Sequence, residues 1–144
     1  MASEPQTFAN HVRYDPLFHF FLLPVALISF ILAVVRFVRF PGFGHGWTIV
    51  VAIAAMVAIL RVRTYSLRVQ DRIIRLEERL RLQALLPEPL RSRIPEIAEA
   101  QLLALRFASD AELPALVERC LNEKLSRGDI KKAVVNWRAD YLRV

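Results

Sequence analysis

Two long uncharged runs constrain the fold of this chain more than any other feature of its sequence. Residues 17–35 carry no charged side chain over 19 positions, and residues 40–60 form a second such run of 21. A helix rises 1.5 Å per residue, so the first run would span about 28 Å, close to the hydrocarbon thickness of a bilayer. The sequence therefore predicts a two-helix transmembrane hairpin over residues 17–65, with spans at about 17–36 and 46–65.

Two other interpretations of these runs compete with the hairpin. A cleaved signal peptide is disfavoured because the first run exceeds the usual apolar region, and RFVRFPG follows it in place of a small-residue cleavage site. A buried hairpin in a soluble protein would have two helices that are apolar on all sides. The remaining chain of about 80 residues would have to cover both helices, so the membrane interpretation is favoured.

Arginines set the predicted orientation of the hairpin. Seven arginines lie within the 21 residues after Leu60, whereas the loop between the runs has only Arg36 and Arg39. The positive-inside rule then places the C-terminal side in the cytoplasm, and two spans place residues 1–16 there as well. We expect a multi-pass protein of the inner (plasma) membrane with both termini cytoplasmic. The expected membrane-surface anchors are Trp47, Arg61, Arg63, Tyr65 and Arg68.

The spans also carry local signals. Pro24 predicts a kink in the first span, and the glycine-rich loop predicts that the second helix begins near Trp47. Small residues four apart, Ser29 with Ala33 and Ala54 with Ala58, would let the two helices approach closely. An equally simple interpretation of these pairs is that alanine is common in membrane helices.

Residues 66–86 contain no glycine or proline and predict a stalk helix that continues the second span until Pro87. Val69, Ile73, Leu76 and Leu80 recur at spacings of 4, 3 and 4; we call these four residues the stalk stripe. The pattern extends over about three heptads, the lower limit for a coiled coil. We expect the stripe to pack against the tail, residues 87–144, with a second copy of the chain as the alternative. Carboxylates of the tail should then pair with the later arginines of the stalk.

The tail predicts a small bundle of short helices. One helix should cover residues 94–108, and Ser109 with Glu112 forms a capping-box pattern that should open a second, ending near Leu125. Ser126 should begin a last helix that carries Trp137 and Tyr141. The fold class predicted for the whole chain is an all-α membrane protein, with Cys120 as a buried free thiol.

The sequence resembles a family of small bacterial two-span membrane proteins of unknown function. The resemblance rests on the stretches NHVRYDPLFHF, VQDRIIRLEERLRL, QLLALRFASDAELPALV and IKKAVVNWRADYLRV. Together with the two spans, these stretches cover nearly the whole chain. The resemblance implies the two-span architecture with a cytoplasmic tail, and it brings no activity, ligand or catalytic residue.

Motifs for chemistry are missing from the sequence. It has no H-E-x-x-H, C-x-x-C, phosphate-binding loop or nucleophile elbow, so we expect a protein that is not an enzyme and that needs no cofactor. His11, Asp15 and His19 are four residues apart and would share one face of a helix, where a metal, quinone or proton relay could bind. Pro16 interrupts that register, so an interfacial cluster without a ligand is favoured.

Aromatic and basic residues near the C-terminus raise the question of nucleic acid. The isoelectric point is about 10.2, but membrane orientation and anionic lipid already account for a basic excess beside a span. We therefore expect no nucleic-acid partner. The candidate interaction surface consists of Val69, Ile73, Leu76, Leu80, Trp137 and Tyr141.

These observations favour a membrane-anchored interaction or scaffolding module that acts through its cytoplasmic helical tail. Its expected partners are the lipid bilayer and either a second copy or another membrane protein. An accessory subunit of a larger transporter or enzyme complex is the alternative. A metal-linked or redox-linked activity at His11 and His19 is a third hypothesis.

Overall fold

The structure, a computed structural model, describes residues 6–10 and 14–140. The chain divides into two compact units: the hairpin, Tyr14–Arg68, and the helical domain, which combines Met1–Arg13 with Val69–Arg143. The elements are a π-helical turn (Phe18–Leu22), α1 (Leu23–Arg39), α2 (Phe43–Leu85), a 3-10 helix (Arg91–Glu96), α3 (Glu99–Leu105), α4 (Leu113–Glu123) and α5 (Arg127–Ala133). No strand occurs in the described residues, so the all-helical prediction is confirmed for them.

The first helical segment of the hairpin is interrupted by a π-helical turn. Asp15 stabilises its start, because the Asp15 carboxylate accepts a hydrogen bond from the Phe18 N–H at 3.2 Å. The π-helical turn ends directly before α1, in which Pro24 lies in the first turn. Proline has no N–H to donate, and the wider turn before it accommodates the missing hydrogen bond without ending the helix. The irregularity expected at Pro24 therefore takes the form of this turn.

The second helix of the hairpin begins earlier than predicted. α2 starts at Phe43 rather than Trp47, because Gly44 and Gly46 lie in its first turn, where glycine is tolerated. A Cβ atom on Gly46 would lie 3.4 Å from the ring of Phe37, so glycine permits close approach of the two helices at this point.

Of the two interpretations of the small residues four apart, close approach of the helices through these pairs disagrees with the structure. Ala33 is buried, but Ser29, Ala54 and Ala58 are all exposed. Ala26 is the other buried residue of α1, so the covered positions lie seven residues apart, two turns of the helix.

Apolar side chains cover the outside of the hairpin. Among those that are exposed are Val25, Leu27, Ile28, Ile31 and Leu32 of α1, and Val50, Val51, Ile53, Val57 and Leu60 of α2. Both helices are long and apolar enough to cross a membrane. The core helix of a soluble protein would bury such residues, so the interpretation of the hairpin as a soluble core disagrees with their exposure.

The helical domain has an ordinary hydrophobic core. Residues near the end of α2 and in the following turn, Leu82 and Leu86, are completely buried among side chains of the tail. The tail contributes Ile94, Ile97, Leu102, Leu105, Leu113, Val117, Cys120 and Ile130. Cys120 is a free thiol, as predicted, and burial raises its pKa. The end of α2 therefore serves as one wall of the domain.

The helix predicted over residues 94–108 is divided into two. A 3-10 helix, Arg91–Glu96, precedes α3, and Ile97 and Ala98 between them are extended. The Gln101 side chain holds the start of α3, since it accepts a hydrogen bond from the Ala98 N–H at 2.8 Å and donates to the Leu125 carbonyl at 2.9 Å. A long-range contact to Leu125 thus fixes this helix start, and helical periodicity alone does not show it.

The predicted last helix is shorter than expected. Ser126 caps α5 as predicted, because its hydroxyl accepts a hydrogen bond from the Asp129 N–H at 3.2 Å. However, α5 ends at Ala133, and Trp137 lies in a non-helical segment that forms an isolated antiparallel bridge with Ala108. The prediction that a helix carries Trp137 is therefore wrong, and Tyr141 lies outside the described residues.

Candidate interaction surface

The stalk stripe is the most exposed apolar surface of the helical domain. Val69, Ile73, Leu76 and Leu80 are 57%, 52%, 61% and 58% exposed. A residue that packs into a core is usually less than a tenth exposed, so the stripe does not pack against the described part of the tail. The expectation that the stripe packs the tail is wrong, and the stripe remains an uncovered surface.

A different face of α2 carries the tail. Ile74 is 8% exposed and Leu82 is completely buried, with Glu78 between them at 5%. At roughly 100° per residue, these three positions centre about 170° around the helix from the stalk stripe. The helix is therefore apolar on two opposite faces, one of which is used within the domain.

Ion pairs with the tail reinforce the buried face of α2. The Arg81 guanidinium donates to the Asp110 carboxylate at 2.8 Å and to the Ala108 carbonyl at 2.7 Å. Arg75 forms an ion pair with Glu99 of α3. The prediction that carboxylates of the tail pair with the later stalk arginines is confirmed for these two residues.

Glu78 is a buried carboxylate at the centre of this network. It accepts a hydrogen bond from Arg81 at 3.1 Å and lies 3.6 Å from the Arg138 guanidinium. Burial raises the pKa of Glu78 and outweighs the opposite effect of Arg81 and Arg138. Glu78 lies well beyond the predicted span, which ends near Tyr65.

The start of α4 is tied to the segment after α5. The Glu112 carboxylate accepts the Ser109 N–H at 3.0 Å, which is one half of the predicted capping box. The same carboxylate accepts the Val135 N–H at 3.1 Å and the Asn136 N–H at 3.3 Å. Glu112 thereby holds the chain after α5 in a non-helical path.

Trp137 belongs to the core rather than to an outer surface. Its ring lies 4.9 Å from that of Phe107, and its indole N–H donates to the Val134 carbonyl at 3.2 Å. It packs against the hydrophobic cluster that contains Leu82, on the opposite side of α2 from the stalk stripe. The structure thus separates Trp137 from the four stripe residues that the sequence grouped with it.

Residues before the hairpin contact the end of the described chain. The Gln6 side chain accepts the Asp140 N–H at 2.8 Å and donates to the Asp140 carbonyl at 3.4 Å. Gln6 is 7% exposed. The segment that precedes the first helix is therefore part of the same compact unit as the tail.

The hairpin has a polar cluster where its first helix begins. Arg63 lies 3.5 Å from the Asp15 carboxylate and 5.4 Å from the centre of the Phe18 ring. The His19 ring nitrogen Nδ1 lies 2.9 Å from the Asp15 carbonyl oxygen. The His19 ring also contacts the Tyr14 ring, with 5.3 Å between their centres, so the structure brings Tyr14, Asp15 and His19 together. A position of this cluster at a membrane surface stays a prediction, and His11 lies outside the described residues.

The structure bears on the metal hypothesis only through the described residues of the chain, which do not include His11. Among the described residues, no group of three or more histidine, cysteine, aspartate or glutamate side chains could hold a metal ion. Of the predicted surface anchors, Arg63 is paired with Asp15, and its side chain is only 15% exposed. The other four, Trp47, Arg61, Tyr65 and Arg68, are exposed.

Comparison with known proteins assigns the chain to a family. The model of a family of unknown function, DUF6526, matches residues 1–144. The chain belongs to this family. No curated protein and no solved structure matches the chain. Membership agrees with the resemblance in one respect, since both point to a family of unknown function that covers nearly the whole chain.

Sequence reasoning missed the burial of Glu78 against the tail. Ile74, Glu78, Leu82 and Leu86 recur every four residues, a helical spacing that marks one face. Glu78 makes this face hard to recognise in the sequence, because a glutamate on a helix usually indicates a solvated face. The spacing of Ile74, Leu82 and Leu86 does indicate a buried face, but the stalk stripe has a more regular spacing, and the sequence therefore predicts that the stripe is the covered face.

Proposed function

We propose that this chain is a membrane-anchored interaction module of the inner (plasma) membrane. The hairpin is the anchor, and the helical domain lies on the cytoplasmic side, where it presents the stalk stripe to a partner. The observation that carries the proposal is the exposure of all four stripe residues beside a domain whose other apolar side chains are largely buried. Large exposed apolar patches on an otherwise well-packed domain mark protein interaction sites.

The surface of the hairpin supports membrane anchoring. Its exposed isoleucine, leucine and valine side chains would be unfavourable in water, whereas in hydrocarbon they need no cover. Backbone groups within α1 and α2 are paired by helical hydrogen bonds, as a membrane segment requires.

Two observations support cytoplasmic termini on one side of the membrane. The excess of arginine after Leu60 favours a cytoplasmic position for that side. The hydrogen bonds between Gln6 and Asp140 join the segment before the first span to the segment after the second. A two-span hairpin agrees with both observations, because it returns the chain to the side of the membrane from which it started.

Reporter fusions to the full-length chain test the anchor. A fluorescent reporter should be active at either terminus, and alkaline phosphatase, which needs the periplasm, should be inactive at both. The chain should stay with the membrane after an alkaline carbonate wash. An active phosphatase fusion, or release of the chain by the wash, would overturn the membrane assignment.

A photo-crosslinking residue at Ile73 tests the interaction. In intact cells it should give a discrete adduct, whereas the same probe at Arg68, exposed but off the stripe, should not. Absence of any adduct from Ile73 would contradict the interaction module. An adduct with a larger membrane protein alone would favour the accessory-subunit alternative.

A further inference from the structure

We propose that the stalk stripe is a parallel dimer interface between two copies of this chain. The inference rests on the proposed function, because membrane anchoring gives both stalks the same direction. It goes beyond that function by naming the partner, which neither the exposure of the stripe nor family membership identifies.

The position of the stripe permits two copies to meet without displacing the tail. The tail covers Ile74, Glu78 and Leu82, which lie roughly opposite the stripe on α2. Two stalks can therefore join along the stripe while each keeps its own tail on the outer side. A stripe beside the tail would have left too little room for a second helix of about 10 Å diameter.

The spacing of the stripe is that of a coiled-coil seam. With Ile73 at heptad position a and Leu76 at position d, Val69 and Leu80 take the adjacent d and a positions. The central pair, Ile73 at a and Leu76 at d, is the combination that favours two parallel strands. The flanking pair, Val69 at d and Leu80 at a, has the reverse order, so it is the central pair and the charges beside the seam that favour the parallel dimer. All four residues are aliphatic, and each would face its own equivalent in the second copy.

Charges beside the seam select the parallel arrangement. In the same register, Arg72 occupies position g and Glu77 occupies position e of the next heptad. A parallel dimer places Arg72 of each copy beside Glu77 of the other, so two opposite-charge pairs form by symmetry. Both side chains are exposed, and within the described part of the chain neither takes part in an ion pair.

An antiparallel dimer would lose this complementarity. It places g positions opposite g positions, which would bring Arg72 and Arg79 of one copy near the same arginines of the other. Two copies anchored in one membrane with the same orientation cannot adopt this arrangement. Charge and anchoring thus favour the same geometry independently.

Single cysteines at the two ends of the stripe test the dimer in membranes. Val69→Cys and Leu80→Cys, each in the full chain, should form disulfide-linked dimers of about twice the 16.5 kDa chain mass under mild oxidation. Only a parallel dimer brings both positions next to their own equivalents. The unaltered chain is a blank because Cys120 is buried, and Arg68→Cys, exposed but roughly 100° around the helix from Val69, is the matched control.

Charge exchange tests the register and the identity of the partner. In a Leu80→Cys background, Arg72→Glu alone and Glu77→Arg alone should each lower the dimer fraction by roughly threefold or more, since two attractive pairs become repulsive. Co-expression of these two variants, distinguished by tags, should restore crosslinking between them, because each then supplies the opposite charge. Restored mixed dimers would be specific to pairing between copies of this chain.

The outcomes separate this inference from the proposed function. Membrane-bound chains without disulfide dimers at Val69 and Leu80, or with crosslinking equal to that of Arg68→Cys, would overturn the dimer and leave the anchor intact. Crosslinking of the stripe only to a different protein would also overturn the dimer while it supports the interaction module. A chain that does not reach the membrane would contradict the proposed function first.

Discussion

The hairpin and the helical domain place the same residue types in opposite locations. In the hairpin, isoleucine and leucine side chains such as Ile28 and Leu32 lie on the outside, whereas in the domain Ile94 and Leu102 are buried. Under the proposed function the difference follows from the solvent, because hydrocarbon accepts apolar side chains and water drives them into a core.

The stalk shows the same contrast across one helix. Its stripe residues are more than half exposed, while residues on the opposite face of α2 are buried against the tail. The stripe is wholly apolar, whereas the covered face carries Glu78 between Ile74 and Leu82, so composition alone would favour burial of the stripe. What distinguishes them is that short helices of the tail can cover one face only.

The largest expected effect on stability comes from Leu82, and it tests the difference between the covered and the exposed face of α2. Leu82→Ala should lower the free energy of unfolding of the helical domain by about 2–5 kcal/mol, because it leaves a cavity in a filled core. In detergent at a dilution that keeps the chains apart, the paired change Ile73→Ser with Leu76→Ser should alter it by less than about 1 kcal/mol, since both side chains are exposed in the single chain. Limited proteolysis after Pro87, followed across a denaturant series, measures both.

The exposed pair is the informative control. If Ile73→Ser with Leu76→Ser made the tail as sensitive to protease as Leu82→Ala does, the stripe would have to pack within the domain after all. Equal resistance of all variants would instead contradict the core assigned to Leu82.

The next largest effect is expected from a charge on the hairpin surface. It tests whether the hairpin lies in hydrocarbon while the helical domain lies in water. Ile28 is 55% exposed in α1, so in water Ile28→Arg would change stability little. In a bilayer an arginine at the centre of a span costs about 2.5–3.5 kcal/mol, and insertion should fail in a large share of chains. Membrane fractionation of the variant measures the loss.

Val135→Arg is the matched control in the helical domain. Val135 is 79% exposed, and its arginine variant should fractionate and unfold like the unaltered chain. Normal membrane insertion of Ile28→Arg would contradict the proposal that the hairpin surface lies in hydrocarbon.

Glu78→Gln should change the stability of the helical domain least at neutral pH. It tests how the buried carboxylate contributes to the covered face of α2. Arg81 keeps Asp110 and the Ala108 carbonyl as partners, so the variant should stay within about 1 kcal/mol of the unaltered domain. Burial raises the pKa of Glu78 in the folded state above its value in the unfolded chain. Protonation of Glu78 therefore stabilises the folded domain, and this stabilisation is fully present at a pH below the unfolded pKa. It is lost as the pH rises through the folded pKa.

The measurement is the difference in unfolding free energy between the unaltered domain and Glu78→Gln from neutral to acidic pH. The unaltered domain should gain relative to the variant as the pH falls. Glu118→Gln, on an exposed position of α4, is the matched control. A relative loss in acid would mean that the arginines around Glu78 outweigh its burial.

Much of the fold follows from local sequence signals. The uncharged runs predict the two long helices, and Ser126 predicts the start of α5, because length, hydropathy and a capping hydroxyl act over a few residues. The glycines before Trp47 were misleading, since glycine ends helices in most places but is tolerated in a first turn. Trp137 was placed on a helix because nothing nearby in the sequence shows that Glu112, 23 residues from Val135, would hold that segment.

The sequence by itself determined two long apolar helices, a stalk without a break and a tail of short helices. Only the tertiary structure decided which apolar face of the stalk the tail would cover. The stalk stripe has the more regular spacing, but the tail covers the face with Ile74 and Leu82, because Leu82 and Leu86 enter its core and Arg81 pairs with Asp110 beside them. Burial of one face depends on contacts between residues far apart in the chain, and helical periodicity cannot distinguish a face that meets the tail from one left for another molecule.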